Sequence, residues 1–163
     1  VTGTRLEAAA SASLLLDLGQ IRGFDLNFDP ALGLSGGEDT LFSRQLVQLG
    51  GRIVWCQESV TEDHVPAERL SRRWALHRAM GHGATDARVT ILLAGRGAGR
   101  MRARVEGIVG GVGRCGFGGA RYLLGVVSRN VSHRALGLRM AWRGRGMIVG
   151  SLGRSISEYE RST

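Results

Sequence analysis

The sequence predicts an α/β fold followed by basic amphipathic helices. Three observations carry that expectation. Short apolar runs alternate with helical periodicity over residues 1–82, and glycine-rich joints separate them. Over residues 83–163 the composition turns to arginine and glycine. The chain has 163 residues, enough for a domain with its own core, and 43% apolar content excludes a disordered chain.

Charge divides the chain in the same way. The formal net charge is +8, and lysine is absent, so all 22 basic residues are arginine. Residues 1–70 hold 5 Arg against 10 acids, whereas residues 71–163 hold 17 Arg against 4 acids. Such asymmetry points to an anionic partner for the second half, either a membrane surface or a nucleic acid. Cys56 and Cys115 have neither a metal spacing nor a disulfide framework and read as free thiols of a reducing compartment. No signal peptide is visible, and no apolar run reaches the ~20 residues that span a bilayer. The opening residues read as the interior of a longer chain.

The elements follow in order. Ser11–Ile21 is an apolar run, either a buried strand or the start of a helix. Arg22–Gly37 is rich in Gly, Asp, Asn and Pro and reads as a loop. In "EDTLFSRQLVQLG", Phe42, Leu46 and Leu49 fall at helical spacing, and Gly50-Gly51 stops that helix. Arg52–Cys56 predicts a buried strand, Glu58–Pro66 a turn and an extended piece. A helix is expected from Ala67, with Leu70 and Trp74 one turn apart. Beyond about Gly81, "ARVTILLAG", "ARVEGIVGGVG", "GGARYLLGVVSR" and "HRALGLRMAWRG" read as basic amphipathic helices weakened by glycine. They fit a membrane interface or packing on the domain equally well.

There is no P-loop and no zinc spacing. The glycine clusters "GRGAGR" and "GGVGRCGFGG" follow no clear strand of a βαβ unit, which excludes a dinucleotide fingerprint.

One constellation carries chemistry. Glu38 and Asp39 follow Gly36-Gly37 at a loop-to-helix junction. A carboxylate there is explained by helix capping alone. The same place aims an acid out of the scaffold, where a carboxylate takes a proton from a substrate hydroxyl.

The order "FDPALG", "GGED", "GGRIVW", "VPAER" and "RW" resembles inverting glycosyltransferases of family 2, of the bacterial exopolysaccharide, succinoglycan-type branch. The resemblance covers most of residues 13–83 and, loosely, the closing "GRGMIVGSLGRSISEYE". It implies the C-terminal half of a GT-A (Rossmann-like) domain over residues 1–82, the acceptor side, and a membrane-associated tail over 83–163. It implies that Asp39 is the catalytic base and that Glu38, Gly36 and Gly37 line the acceptor pocket. His64 would lie near the metal or the nucleotide diphosphate, as would Arg72, Arg73 and Trp74. The neighbouring acids Glu62 and Asp63 share that ambiguity. "RRW" matches only part of the family's Q-x-x-R-W pattern, because Leu70 holds the glutamine position.

The implied partners are a nucleotide-sugar donor, a lipid-linked or saccharide acceptor and an anionic membrane. The implied cofactor is Mg²⁺ or Mn²⁺, the implied place the cytoplasmic face of the cell membrane. No nucleic-acid partner is expected. The family's D-x-D and its nucleotide-binding βαβ half are missing from this sequence, and "SASLLLD" lacks the usual preceding Gly-Asn. Two other readings compete: a basic nucleic-acid-binding module, and a remnant without activity.

Overall fold

A computed structural model describes residues 1–32 and 36–154. The chain forms two compact units, Val1–His64 and Val65–Thr163. The shift in composition near residue 82 falls inside a helix of the second unit.

In the first unit, strand β1 (Arg5–Leu6) pairs antiparallel with β2 (Ile53–Val54), with Arg5 opposite Val54 and Leu6 opposite Ile53. Between them lie helices α1 (Leu18–Gly23) and α2 (Glu38–Gln48). Of the three residues the periodicity predicts to be buried, Phe42 and Leu46 of α2 are, together with Leu41, while Leu49 is exposed. The Phe28 ring stacks on Phe42 at 4.3 Å between centroids. Helix α2 ends at Gln48 with Leu49 as its cap, and Gly50 follows at φ +91°, a conformation that favours glycine.

The α/β, Rossmann-like expectation is wrong for the described residues. They are 66% helix and 3% strand, and the two-residue ladder is their sheet. The physical reason is local. In the apolar run Ser11–Ile21, Asp17 caps a helix: its Oδ1 accepts from Gly19 N at 2.9 Å and Gln20 N at 3.2 Å. Leu15 of that run is 98% exposed, so no buried strand forms there. In Arg52–Cys56, Val54 and Trp55 are half exposed, which makes this an edge piece. The run "ARVTILLAG" ends a long helix, as its sequence predicts, and adds no strand. A parallel sheet needs strand–helix–strand units, and the segments that would repeat them are helical.

The second unit opens on a 3₁₀ turn, Ala67–Leu70, where the sequence predicts a helix. The helix proper, α3 (Arg72–Leu93), starts after Ser71, whose Oγ accepts from Trp74 N at 3.2 Å. Helices α4 (Ala98–Val127) and α5 (Val131–Ser151) follow in up-down-up order, with α5 between α3 and α4. Asn130 caps α5 through His133 N at 3.1 Å. The carboxylate of Asp86 pairs with Arg143, joining α3 to α5.

Glycine builds these joints, contrary to the reading that it weakens the helices. Gly111, Gly118 and Gly125 recur every seven residues on α4, and Gly137 and Gly144 do so on α5. A Cβ on Gly118 would lie 2.7 Å from the Gly137 carbonyl oxygen, and one on Gly144 2.6 Å from that of Gly111. Gly83, Gly146 and Gly150 make equally close backbone approaches between α3 and α5. Each glycine lowers helix propensity by ~1 kcal/mol. Backbone-to-backbone packing, with its many short dispersion contacts, offsets that loss. Among the described residues no helix is long and apolar enough to cross a membrane.

Candidate functional site

The Gly36–Asp39 junction begins with two glycines in left-handed backbone, φ +71° at Gly36 and +99° at Gly37. That turn lets α2 begin at Glu38, so both acids stand in its first turn. Helix N-termini hold unpaired N–H groups and a positive dipole end, which suit carboxylates.

The two acids are held differently. Asp39 is anchored: its Oδ1 accepts from Thr40 N at 2.6 Å, and its Oδ2 from Ser11 N at 3.3 Å. Ser43, buried in α2, accepts from Ala9 N at 3.2 Å, so two residues of one helix tie down the same short segment. Asp39 is therefore positioned with a fixed carboxylate and a lightly used Oδ2. Glu38 is half-buried, and its buried Oε2 has no hydrogen-bond partner among the described residues. Such an oxygen accepts a donor readily, because leaving it dry and unpaired is costly.

His64, Glu62 and Asp63 are exposed in an extended stretch of the first unit. Among the described residues no three His, Cys, Asp or Glu side chains come together to hold a metal ion. The resemblance puts the ligands of the implied Mg²⁺ or Mn²⁺ mostly in the half of the domain that this sequence lacks. Cys56 and Cys115 are both free thiols.

Arg72, Arg73 and Trp74 belong to the second unit and do not act as one group. Trp74 is half-buried, with the Arg78 guanidinium 5.6 Å from its ring centre. Arg73 is exposed. Arg72 lines a half-open cleft of about 570 Å³, together with Arg134 and Arg139 of α5. Sequence reasoning missed those two arginines and Tyr122, which lines the same cleft. They lie 50 or more residues from Arg72; the two arginines reach it through the α3–α5 packing, and Tyr122 through the packing of α4 on α5. The seven-residue glycine rhythm was the signal that pairs α4 with α5, and the short 128–130 joint fixes their antiparallel run.

Helix α4 carries a third feature. Met101, Val105, Val109, Val112, Leu123 and Val126 recur at helical spacing on one side, all exposed. No charged side chain of α4 falls within that stripe by its 100° spacing. Arg114 lies on another side, donating toward Met147 of α5.

No family model, no curated protein and no solved structure matches this chain.

Proposed function

We propose that the chain supplies the acceptor-activating acid of an inverting glycosyltransferase for cell-surface polysaccharide, working at the cytoplasmic face of a membrane. The observation that carries this reading is the acid pair at the start of α2. Asp39 is fixed by backbone donors, and Glu38 beside it has a buried oxygen without a hydrogen-bond partner among the described residues. The ordered motif set around "GGED" supports the same reading.

In the reaction, Asp39 Oδ2 takes the proton of an acceptor hydroxyl as that oxygen attacks the anomeric carbon of a nucleotide sugar. The new C–O bond forms as the bond to the diphosphate breaks, and its electron pair leaves with the nucleotide. One displacement inverts the centre. Glu38 accepts a second acceptor hydroxyl and orients it, and the glycine turn lets the sugar approach the backbone. On this reading the donor nucleotide is held by the nucleotide-binding half of the family's domain, which this sequence lacks. The exposed apolar stripe of α4, with the arginines of the second unit, suits a seat on anionic lipid.

The test is Asp39→Asn, assayed in membranes of cells expressing the gene, by sugar transfer from labelled nucleotide sugars into extractable lipid. Asparagine keeps an acceptor oxygen at this position, so the loss to folding is about 1 kcal/mol. Transfer is expected to fall about 100-fold or more, the contribution of a general base. Near-normal transfer by the folded variant sinks Asp39 as the base.

A further inference from the structure

We propose that the cleft between the start of α3 and the first half of α5 binds one phosphate-bearing lipid molecule. Arg72, Arg134 and Arg139 take the phosphate, and the cleft leucines take the first part of the hydrocarbon chain. The site lies wholly within the second unit, and the proposal does not depend on the role of Asp39.

Four observations converge. The cleft holds about 570 Å³, within the range of small-molecule sites. Its lining contains three arginines and no acid. Among the described residues none of the three arginines forms a salt bridge, although Arg102 and Arg143 elsewhere in the unit do. Apart from Ser71 and Tyr122 the remaining walls are apolar: Leu76, Leu136 and Leu138 with Leu70 and Val131, the last two 75% and 72% exposed.

Each half of this lining selects against a simpler occupant. Three guanidinium groups without acids attract a dianionic phosphate and hold it by paired N–H donors. They would be desolvated at a loss by a purely apolar chain. The leucines gain nothing from inorganic phosphate, since their exposed area is stabilised only by burying hydrocarbon. An amphiphile that joins a phosphate to an alkyl or isoprenoid chain satisfies both. Tyr122 suits such a boundary, with an apolar ring and a polar tip. Arg72 and Val131, the first residues of α3 and α5, both line the cleft, so the positive ends of two helices border it and add to the field on the phosphate.

This differs from adsorption of a basic surface to a charged bilayer, because it assigns a saturable site to named residues. The experiment is calorimetric titration of the full chain with dihexanoyl phosphatidic acid, kept monomeric. Dihexanoyl phosphatidylcholine and inorganic phosphate serve as comparison probes. Saturable binding of one lipid per chain is expected, with phosphatidylcholine and inorganic phosphate each markedly weaker. The pair Arg134→Gln and Arg139→Gln, both exposed, is expected to weaken binding about 100-fold, roughly tenfold for each charge-assisted contact. The matched pair Arg96→Gln and Arg100→Gln removes the same charge away from the cleft and is expected to change binding by no more than about threefold. Leu136→Gln, at an exposed wall position, is expected to weaken the lipid and leave inorganic phosphate unchanged.

Equal losses from both arginine pairs would mean diffuse electrostatics and overturn the site. Inorganic phosphate binding as tightly as the lipid would mean a plain anion site. Phosphatidylcholine binding equally well would mean an apolar groove blind to charge. Either result also overturns it. All readouts are binding constants, so they stand whether Asp39 is active or inactive.

Discussion

At the scale of residues, what holds Asp39 in place also makes it usable. Its Oδ1 is saturated by Thr40, while its Oδ2 has one long contact to Ser11. The sequence showed the acid and the helix start, but Ser11 as its support was invisible, because a partner outside the helix has no periodic signature. Glu58 is a second such case. It reads as a turn residue, yet its carboxylate accepts from the Thr2 hydroxyl, and Thr2 Oγ1 accepts from Gln57 N at 3.0 Å. The Thr2 hydroxyl, then its own backbone N–H and the Cys56 thiol, hold the Glu58 carboxyl below its ordinary value of 4.5. A depressed folded value makes this contribution fully present above the unfolded pKa and lost as pH falls through the lowered folded one. In Thr2→Ala the Glu58 pKa should climb back toward 4.5, as a carboxyl titration by NMR would show. Should it stay low, Thr2 is not its main cause. The protection factor of the Gly3 amide, which donates to the Trp55 carbonyl at 2.8 Å, should fall in the wild type below that window and not above it.

At the scale of elements, the second unit depends on where glycine stands. Gly118 and Gly113 sit on one helix with identical chemistry and opposite surroundings. A Cβ at Gly118 would meet Ala141 N at 2.6 Å and the Gly137 oxygen at 2.7 Å, both backbone atoms that cannot turn aside. A Cβ at Gly113 meets nothing within 4 Å. Gly118→Ala must push α4 off α5 and should destabilise the unit by about 1–3 kcal/mol, as overpacking does. Gly113→Ala gains helix propensity alone and should stabilise it by about 0.5–1 kcal/mol. Denaturant unfolding of the full chain reads both, and equal shifts in one direction would refute the seam. The sequence displayed the heptad rhythm of Gly111, Gly118 and Gly125, but propensity reasoning took each glycine as a loss. Propensity is local, and the gain is a contact with a helix some twenty to thirty residues away. The same locality explains why the strand expected at Arg52–Cys56 forms only over Ile53–Val54, with Ile53 buried and Val54 and Trp55 half exposed. A short apolar run is equally a strand or a helix side until its partner is known, and here the partner is only the two residues of β1.

At the scale of the whole molecule, the charge division was legible without any fold, because it is a property of composition. Its meaning was not, since arginine serves lipid and nucleic acid alike. The α4 stripe separates the two. The helix has 30 residues, about 45 Å long at 1.5 Å each, and Met101 to Val126 expose apolar side chains along most of it. Nucleic acid gives such a stripe nothing to bury against, because its backbone is charged and hydrated. A bilayer interface buries it and meets the flanking arginines with anionic headgroups, at about 1 kcal/mol for each basic side chain near the surface. The chain should therefore float with vesicles that contain phosphatidylglycerol and not with pure phosphatidylcholine. Raising salt from about 0.1 to 1 M, which shortens the screening length from ~10 to ~3 Å, should weaken that binding only in part, because the apolar share is not screened. Val109→Asp, on the exposed stripe, should remove most of what remains at high salt while leaving duplex DNA affinity unchanged. If the variant binds vesicles as the wild type does, and all binding vanishes with salt, the stripe has no lipid role. The arginines would then act as a bare cationic surface, and a nucleic acid would fit them as well as a membrane does.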